Sequence, residues 1–124
     1  MKTSELTGAS LDWAVAICET PNVANRLEKK RKPDLVANFK PSTDWAQGGP
    51  IIERERFARI TLNVANQYTA SIRNNIHYID LDGDEAVRLV WIHGTGSTPL
   101  IAAMRCYVAS KLGDTVEIPK ELTE

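Results

Sequence analysis

The stretch "STPLIAAMRCYVASKLG", residues 97–113, restricts the fold more than any other part of this chain. Thr98 suits a helix cap, Pro99 the first helical position, where its missing N–H costs nothing, and Gly113 the residue that ends a helix. Leu100, Ile101, Met104, Tyr107, Val108 and Leu112 then form an apolar face broad enough to cover a sheet. A helix over 98–112 of this kind requires the rest of the chain to supply that sheet. The 124 residues fit one compact domain, 1–124, and are few for two independent cores.

A second helix is expected over 7–20. Thr7 can cap it, Leu6 and Leu11 have the spacing of a hydrophobic staple, and Leu11, Ala14, Val15 and Cys18 line one face before Pro21 stops it. Trp13 projects away from that face, toward a second surface. Strand signals lie between the helices. In "RITLNV", 59–64, Ile60, Leu62 and Val64 alternate with polar residues. "IHYIDLDGDEAVRLVWI", 76–92, reads as two strands joined near Asp82 and Gly83, with Val87, Leu89 and Trp91 on one face and Val90 and Ile92 on the other. "LVANF" at 35–39 is another short strand candidate. Residues 66–75 show little periodicity and read as a loop, 26–32 as a solvated basic turn, and the tail from Thr115 as a short edge segment. The fold class that follows is α+β, with a small, mainly antiparallel sheet packed against two principal helices.

Composition narrows the function classes. With 43% apolar and 25% charged residues the chain reads as a soluble globular domain, and a net charge of -1 gives no general attraction to nucleic acid or to an anionic membrane. No apolar run near the amino end is long enough for a signal peptide or a membrane span, so a cytoplasmic location is expected. Cys18 and Cys106 read as small core residues, and with His77 and His93 they make no zinc-site spacing. Asp80, Asp82 and Asp84 alternate as at the start of a calcium loop, but Glu85 stands where the loop needs glycine and Trp91 where it needs glutamate. No metal, cofactor or catalytic residue is therefore assigned, and no Ser-His-Asp or Cys-His order argues for acyl transfer.

Two stretches carry recognition chemistry. In "PSTDWAQGGPIIERER", 41–56, Pro41, Gly48, Gly49 and Pro50 set the path of a loop and Asp44 braces it. Trp45 offers a rigid stacking platform and Gln47 a donor and an acceptor. Beyond the loop, Arg54 and Arg56 would share one strand face, with Glu53 and Glu55 on the other. "GTGSTP", 94–99, runs straight into a helix start; Gly94 and Gly96 would let backbone N–H groups converge with the Thr98 turn on a phosphate. No Walker lysine follows, which argues against an ATPase or GTPase. Arg105, about two turns into the helix, would point along a groove.

"LTGASLDWAVA" at 6–16, "PSTDWAQGGPIIERE" at 41–55 and "TPLIAAMRCYVASKLGD" at 98–114, in this order, resemble the three main blocks of the phage NinX family, small phage and prophage proteins grouped as a domain of unknown function. The family's recurring Asp-Trp-Ala-Gln-Gly-Gly-Pro block falls on Asp44 through Pro50, and its terminal-helix block on Met104 and Arg105. The resemblance implies a phage accessory protein acting in the host bacterial cytoplasm and brings no established reaction. The expectation is a non-enzymatic binder of a host-derived, phosphate-containing, nucleotide-like ligand. Its site would draw on Asp44, Trp45, Gln47, Gly48, Gly49, Gly94, Gly96, Thr98 and Arg105, in a homo-oligomeric pocket. The alternative is an adaptor or inhibitor of a host protein with an interface built on Trp13, Trp45 and Trp91; a small hydrolase or transferase comes third.

Overall fold

The computed structural model describes residues 1–20, 38–55, 59–63, 65–119 and 122. After a single 3-10 turn at Thr3–Glu5 come α1 (Gly8–Cys18), α2 (Trp45–Glu55), β1 (Arg59–Leu62), β2 (Tyr68–Ile79), β3 (Glu85–Gly96) and α3 (Pro99–Leu112). The strands form one antiparallel sheet in the order β1-β2-β3. α3 lies across one face of it, and α1 and α2 pack on α3. This is the expected α+β fold, with a third helix. The basic segment 26–32, Pro21 and most of the 35–39 strand candidate lie outside the described residues.

The expected α1 and α3 form for the reasons visible in their ends. Thr7 is the cap of α1, where Ser10 Oγ reaches back to the Thr7 main chain, and the stapling pair Leu6 and Leu11 is fully buried. Trp13 is 1% exposed, so the second surface it turns to lies inside the domain, beside Leu112 and Val116; α1 is buried from Ser10 to Ile17 on every side. On α3 the Thr98 hydroxyl accepts the Ile101 N–H at 3.1 Å, and Gly113 closes the helix at φ 86°, an angle a side chain would oppose. Thr98→Ala is expected to lower stability by about 1 kcal/mol, read as a shift in the urea midpoint at unchanged slope.

Two expectations are corrected. The stretch 66–75 is not a loop, since from Tyr68 on it is the first half of β2. Ala70 and Ile72 face α3 while Thr69, Ser71 and Arg73 face away, so the period of two is present but carried by a small side chain that gives little signal. The connection to β1 is tight because Asn63 Oδ1 accepts the N–H groups of Ala65 and Gln67, and Asn66 takes φ 59°. The second correction concerns 45–55, expected as a loop leading into a strand. It is α2, so Arg54 and Glu55 sit on a helix and do not alternate across a sheet.

α3 can approach the sheet closely because β3 has glycine where the helix crosses it. A Cβ on Gly94 would collide with the Cys106 N–H and the Ala102 carbonyl, and one on Gly96 would lie 2.6 Å from Ile101 Cγ2. Ala70, Ala102 and Ala103, all fully buried, continue the same close contact. The helix does not follow the hairpin to its tip. Beyond Ile72 the side chains of β2 and β3 are exposed or half-buried, out to the turn where Asp80 Oδ1 accepts the N–H groups of Asp82 and Asp84.

Candidate functional site

The residues singled out by sequence fall into two separate groups. In the first, Asp44 precedes α2 and its Oδ1 accepts the Ala46 N–H at 2.9 Å, a capping bond. Its Oδ2 accepts Gln47 Nε2, which also reaches the Asn38 carbonyl, while Gln47 Oε1 accepts the Lys40 N–H at 2.7 Å. Asp44 and Gln47 are thus engaged in holding the turn at 38–47 on the start of the helix. Gly48 packs against the Pro41 carbonyl and Leu100, which leaves no room there for a ligand. Trp45 stands outside this network, 56% exposed.

Two polar contacts unmarked by any motif hold the same region to the other helices. Asp12, 7% exposed, accepts the Ser42 N–H at 2.9 Å, joining α1 to the 41–44 turn; burial raises its carboxyl above the usual range. At the far end of α2, Arg54 makes a bidentate pair with Glu19 at 2.9 and 2.8 Å, and the Tyr107 hydroxyl donates to the same carboxylate at 2.9 Å. Glu55 bridges Arg54 to Lys111. Burial, then the Glu19 bond, push the Tyr107 phenol upward, and burial pushes the Cys106 thiol to about 12, so both stay protonated at neutral pH. These groups tie α1, α2 and α3 together and offer no activated nucleophile. Neither cysteine is in a disulfide.

The second group lies at the other end of α3. Gly94 and Gly96 are strand residues, paired with Ala70 and Tyr68, so no run of loose N–H groups converges there as the sequence suggested; only Ser97 and Thr98 separate strand from helix. Thr98 spends its hydroxyl on the helix cap. Arg105 does lie in a cleft, of about 280 Å³, between the Lys2–Ser4 segment, the end of β3 and the Asp114–Thr115 turn. Its Nε donates to the Leu6 carbonyl at 2.8 Å and its Nη1 to the Thr95 carbonyl at 2.7 Å, so the third nitrogen is not spent on these bonds. Burial works against its charge, and no carboxylate among the described residues pairs with it, in contrast to Arg54. Lys2 adds a second cation and Thr3, Ser4, Thr95 and Thr115 add hydroxyls; Asp114 is the acid on the rim.

The face of the sheet turned away from α3 holds residues that sequence reasoning passed over. Pairing puts Arg59, Ser71 and His93 in one row across the three strands, beside a row of Thr61, Thr69 and Thr95. Ser71 Oγ and His93 Nδ1 are 2.7 Å apart, and with Arg59 and the half-exposed Trp91 they line a concavity of about 360 Å³. His93 is a lining residue of the Arg105 cleft as well, and Trp45 lines neither. Only the strand register brings Arg59, Ser71 and His93 together.

A model of the bacteriophage P22 NinX proteins matches residues 2–111. The chain belongs to the NinX family. Among curated proteins none matches it. The three sequence blocks of the NinX resemblance meet in space: Asp12 of the first holds Ser42 of the second, whose Gly48 and Arg54 contact Leu100 and Tyr107 of the third. In this NinX domain those blocks build the helical layer, and no helix among the described residues is long and apolar enough to cross a membrane.

Proposed function

We propose that this NinX-family protein binds, without transforming, a host-derived small ligand that joins a phosphate to a planar base. The phosphate would sit between Lys2 and Arg105 and the base against Trp91. The observation that carries this reading is His93, which lines both the cationic cleft and the concavity holding the aromatic platform. A partly desolvated guanidinium without a carboxylate partner gains more from an anion than a hydrated surface cation does, and an indole face accepts any base by stacking. Of the residues first expected to bind, Arg105 and Gly94 remain at this site; Asp44, Gln47, Gly48, Gly96 and Thr98 have structural work that accounts for them, and Trp45 and Gly49 line neither cavity.

Titration with a panel of nucleotides and cyclic signalling nucleotides is expected to give saturable binding that weakens with salt. Trp91→Ala should lower affinity at least about fivefold, the loss of one stacked base, and Lys2→Glu should lower it further at low salt than at high salt. The ligand released by denaturation should have unchanged mass. Failure to retain any small ligand, both on isolation from infected cells and on direct titration, would sink the reading; a released product in place of the ligand would move it to a hydrolase or transferase, with the Ser71 and His93 pair the first place to look.

A second reading, an adaptor or inhibitor of a host protein, is favoured by Trp45, whose indole is exposed on the first turn of α2 and serves no described polar contact. Trp13 leaves that interface because it is core. A host protein captured by the wild type and lost with Trp45→Ala, at unchanged ligand binding, would support it.

A further inference from the structure

The concavity on the sheet face turned away from α3 is lined by Arg59, Ser71, Trp91 and His93. Strand order fixes how they are laid out. Ser71, on the central strand and 7% exposed, lies between His93 on β3 and Arg59 on β1, its direct neighbours in the register. Two strand spacings separate the His93 and Arg59 backbones, so this row is roughly 10 Å long. Trp91 is two residues from His93 on the same face of β3. Arg59 does not line the cleft of Lys2 and Arg105, so it stands at the opposite end of the row from the His93 edge that the two cavities share.

The Arg59 guanidinium is uncommitted among the described residues. Arg54 is spent on Glu19, Glu55 and the Tyr107 ring, whereas no described acid or ring engages Arg59, and no described carboxylate lines the concavity. The cations that do lie over a ring, Arg54 and Lys111, both lie over Tyr107, which leaves the Trp91 face uncovered by any described cation. A base stacked on Trp91, with its phosphate in the Lys2 and Arg105 cleft, turns its remaining edge along the row toward Ser71 and Arg59.

What that edge must carry follows from the chemistry of the row. A guanidinium offers donors only, in a planar fork that matches two acceptors side by side. Guanine presents such a pair, O6 and N7; adenine has a donor amino group in place of O6, and cytosine and uracil have no such pair. Ser71 Oγ keeps an acceptor lone pair whichever way the proton it shares with His93 lies, and so suits the N1–H beside O6. We propose, on the nucleotide reading of this site, that the base is guanine, stacked on Trp91 and read through O6 and N7 by Arg59.

Equilibrium titration of the whole protein with the 5′-monophosphates of guanosine, inosine, adenosine and 7-deazaguanosine tests this. Inosine keeps O6 and N7, adenosine loses O6, and 7-deazaguanosine loses N7 alone. The first two should bind alike and the last two roughly tenfold more weakly. In Arg59→Ala, with far-UV circular dichroism as the check on folding, the preference for guanosine over adenosine monophosphate should shrink to within about twofold. Arg59→Lys keeps the charge without the fork and should lose most of the preference too. A purely structural role for Arg59, or a contact from it to phosphate, would weaken all four ligands together and leave their order intact, which would overturn the proposal. Equal wild-type affinity for guanosine and adenosine monophosphates, both weakened by Trp91→Ala, would overturn the guanine assignment while the nucleotide reading stands. Binding of none of the four would overturn both.

Discussion

Gly48→Ala should unfold this domain at a modest temperature while Gly49→Ala, one residue along, should change its stability far less. A methyl group at Gly48 has to displace the Pro41 carbonyl, which is backbone, together with Leu100 of α3. At Gly49 the nearest atom outside its chain neighbours would be Trp45 Cε3 at 3.9 Å, an ordinary contact, and the entropy gained by replacing a helical glycine is offset by the crowding of a new Cβ against the Pro50 ring. Overpacking against fixed backbone costs about 3 kcal/mol, a fall on the order of 10 °C in Tm for a domain of this size; at Gly49 the helix-propensity gain and the pre-proline crowding oppose each other, for a net change within about 1 kcal/mol. Gly94→Ala should behave like the first, since its new methyl would meet the main chain of α3 at Ala102 and Cys106. Thermal melts followed by circular dichroism separate the three variants directly, and equal melting of the Gly48 and Gly49 variants would refute the packing described between α2 and α3.

Asp12 carries the second large effect. Replacing it with alanine strands the buried Ser42 N–H and detaches the 41–44 turn from α1, at a cost of about 1–3 kcal/mol. Asp12→Asn keeps an acceptor and removes the charge, and pH then reveals what that charge does. Burial raises the folded-state pKa of Asp12 above the ordinary aspartate value of 3.8. A carboxyl raised on folding favours the native state most below its unfolded pKa, and that contribution is lost as pH rises through the folded value. The wild type should therefore gain on the asparagine variant as pH falls from 7 toward 4, and the difference in Tm, variant minus wild type, should be larger at pH 7 than at pH 4. A difference independent of pH over that range would mean that Asp12 is not desolvated as described. Any change in ligand binding by these variants should follow their loss of folded protein, because Asp12 lies on the helical layer and not on the Arg105 cleft.

The helices bounded by chemical stops could be read from the chain. Thr7, Thr98, Pro99 and Gly113 act through their own main chain or the next turn, so a local pattern suffices to place α1 and α3. Helix α2 was misread because Gly48, Gly49 and Pro50 look like a turn. What makes it helical is external: the Asp44 cap, the Gln47 bonds to 38–40 and the fit of Gly48 against Leu100. The glycines of "GTGSTP" were misread in the same way, as freedom for the backbone, when their use is to remove side chains between a strand and a helix. Sequence can show that a glycine is present but not whether its missing Cβ serves a turn or a close approach, because the second answer depends on what lies opposite.

Residue order by itself determined the α+β class, the caps, the family and Arg105 as a candidate anion ligand. Those conclusions rest on interactions within a few residues, or on a pattern that can be matched without coordinates. Tertiary structure decided everything that depends on pairing across distance. It buried Trp13 and left Trp91 in the open, set His93 beside Ser71 and Arg59, gave Arg54 to Glu19 and left Arg105 without an acid among the described residues. The strand register did most of this. A shift of one residue between β2 and β3 would send each of those side chains to the opposite face, and no local feature of the chain fixes that register as firmly as α3 does by requiring Gly94 and Gly96 on the side it covers.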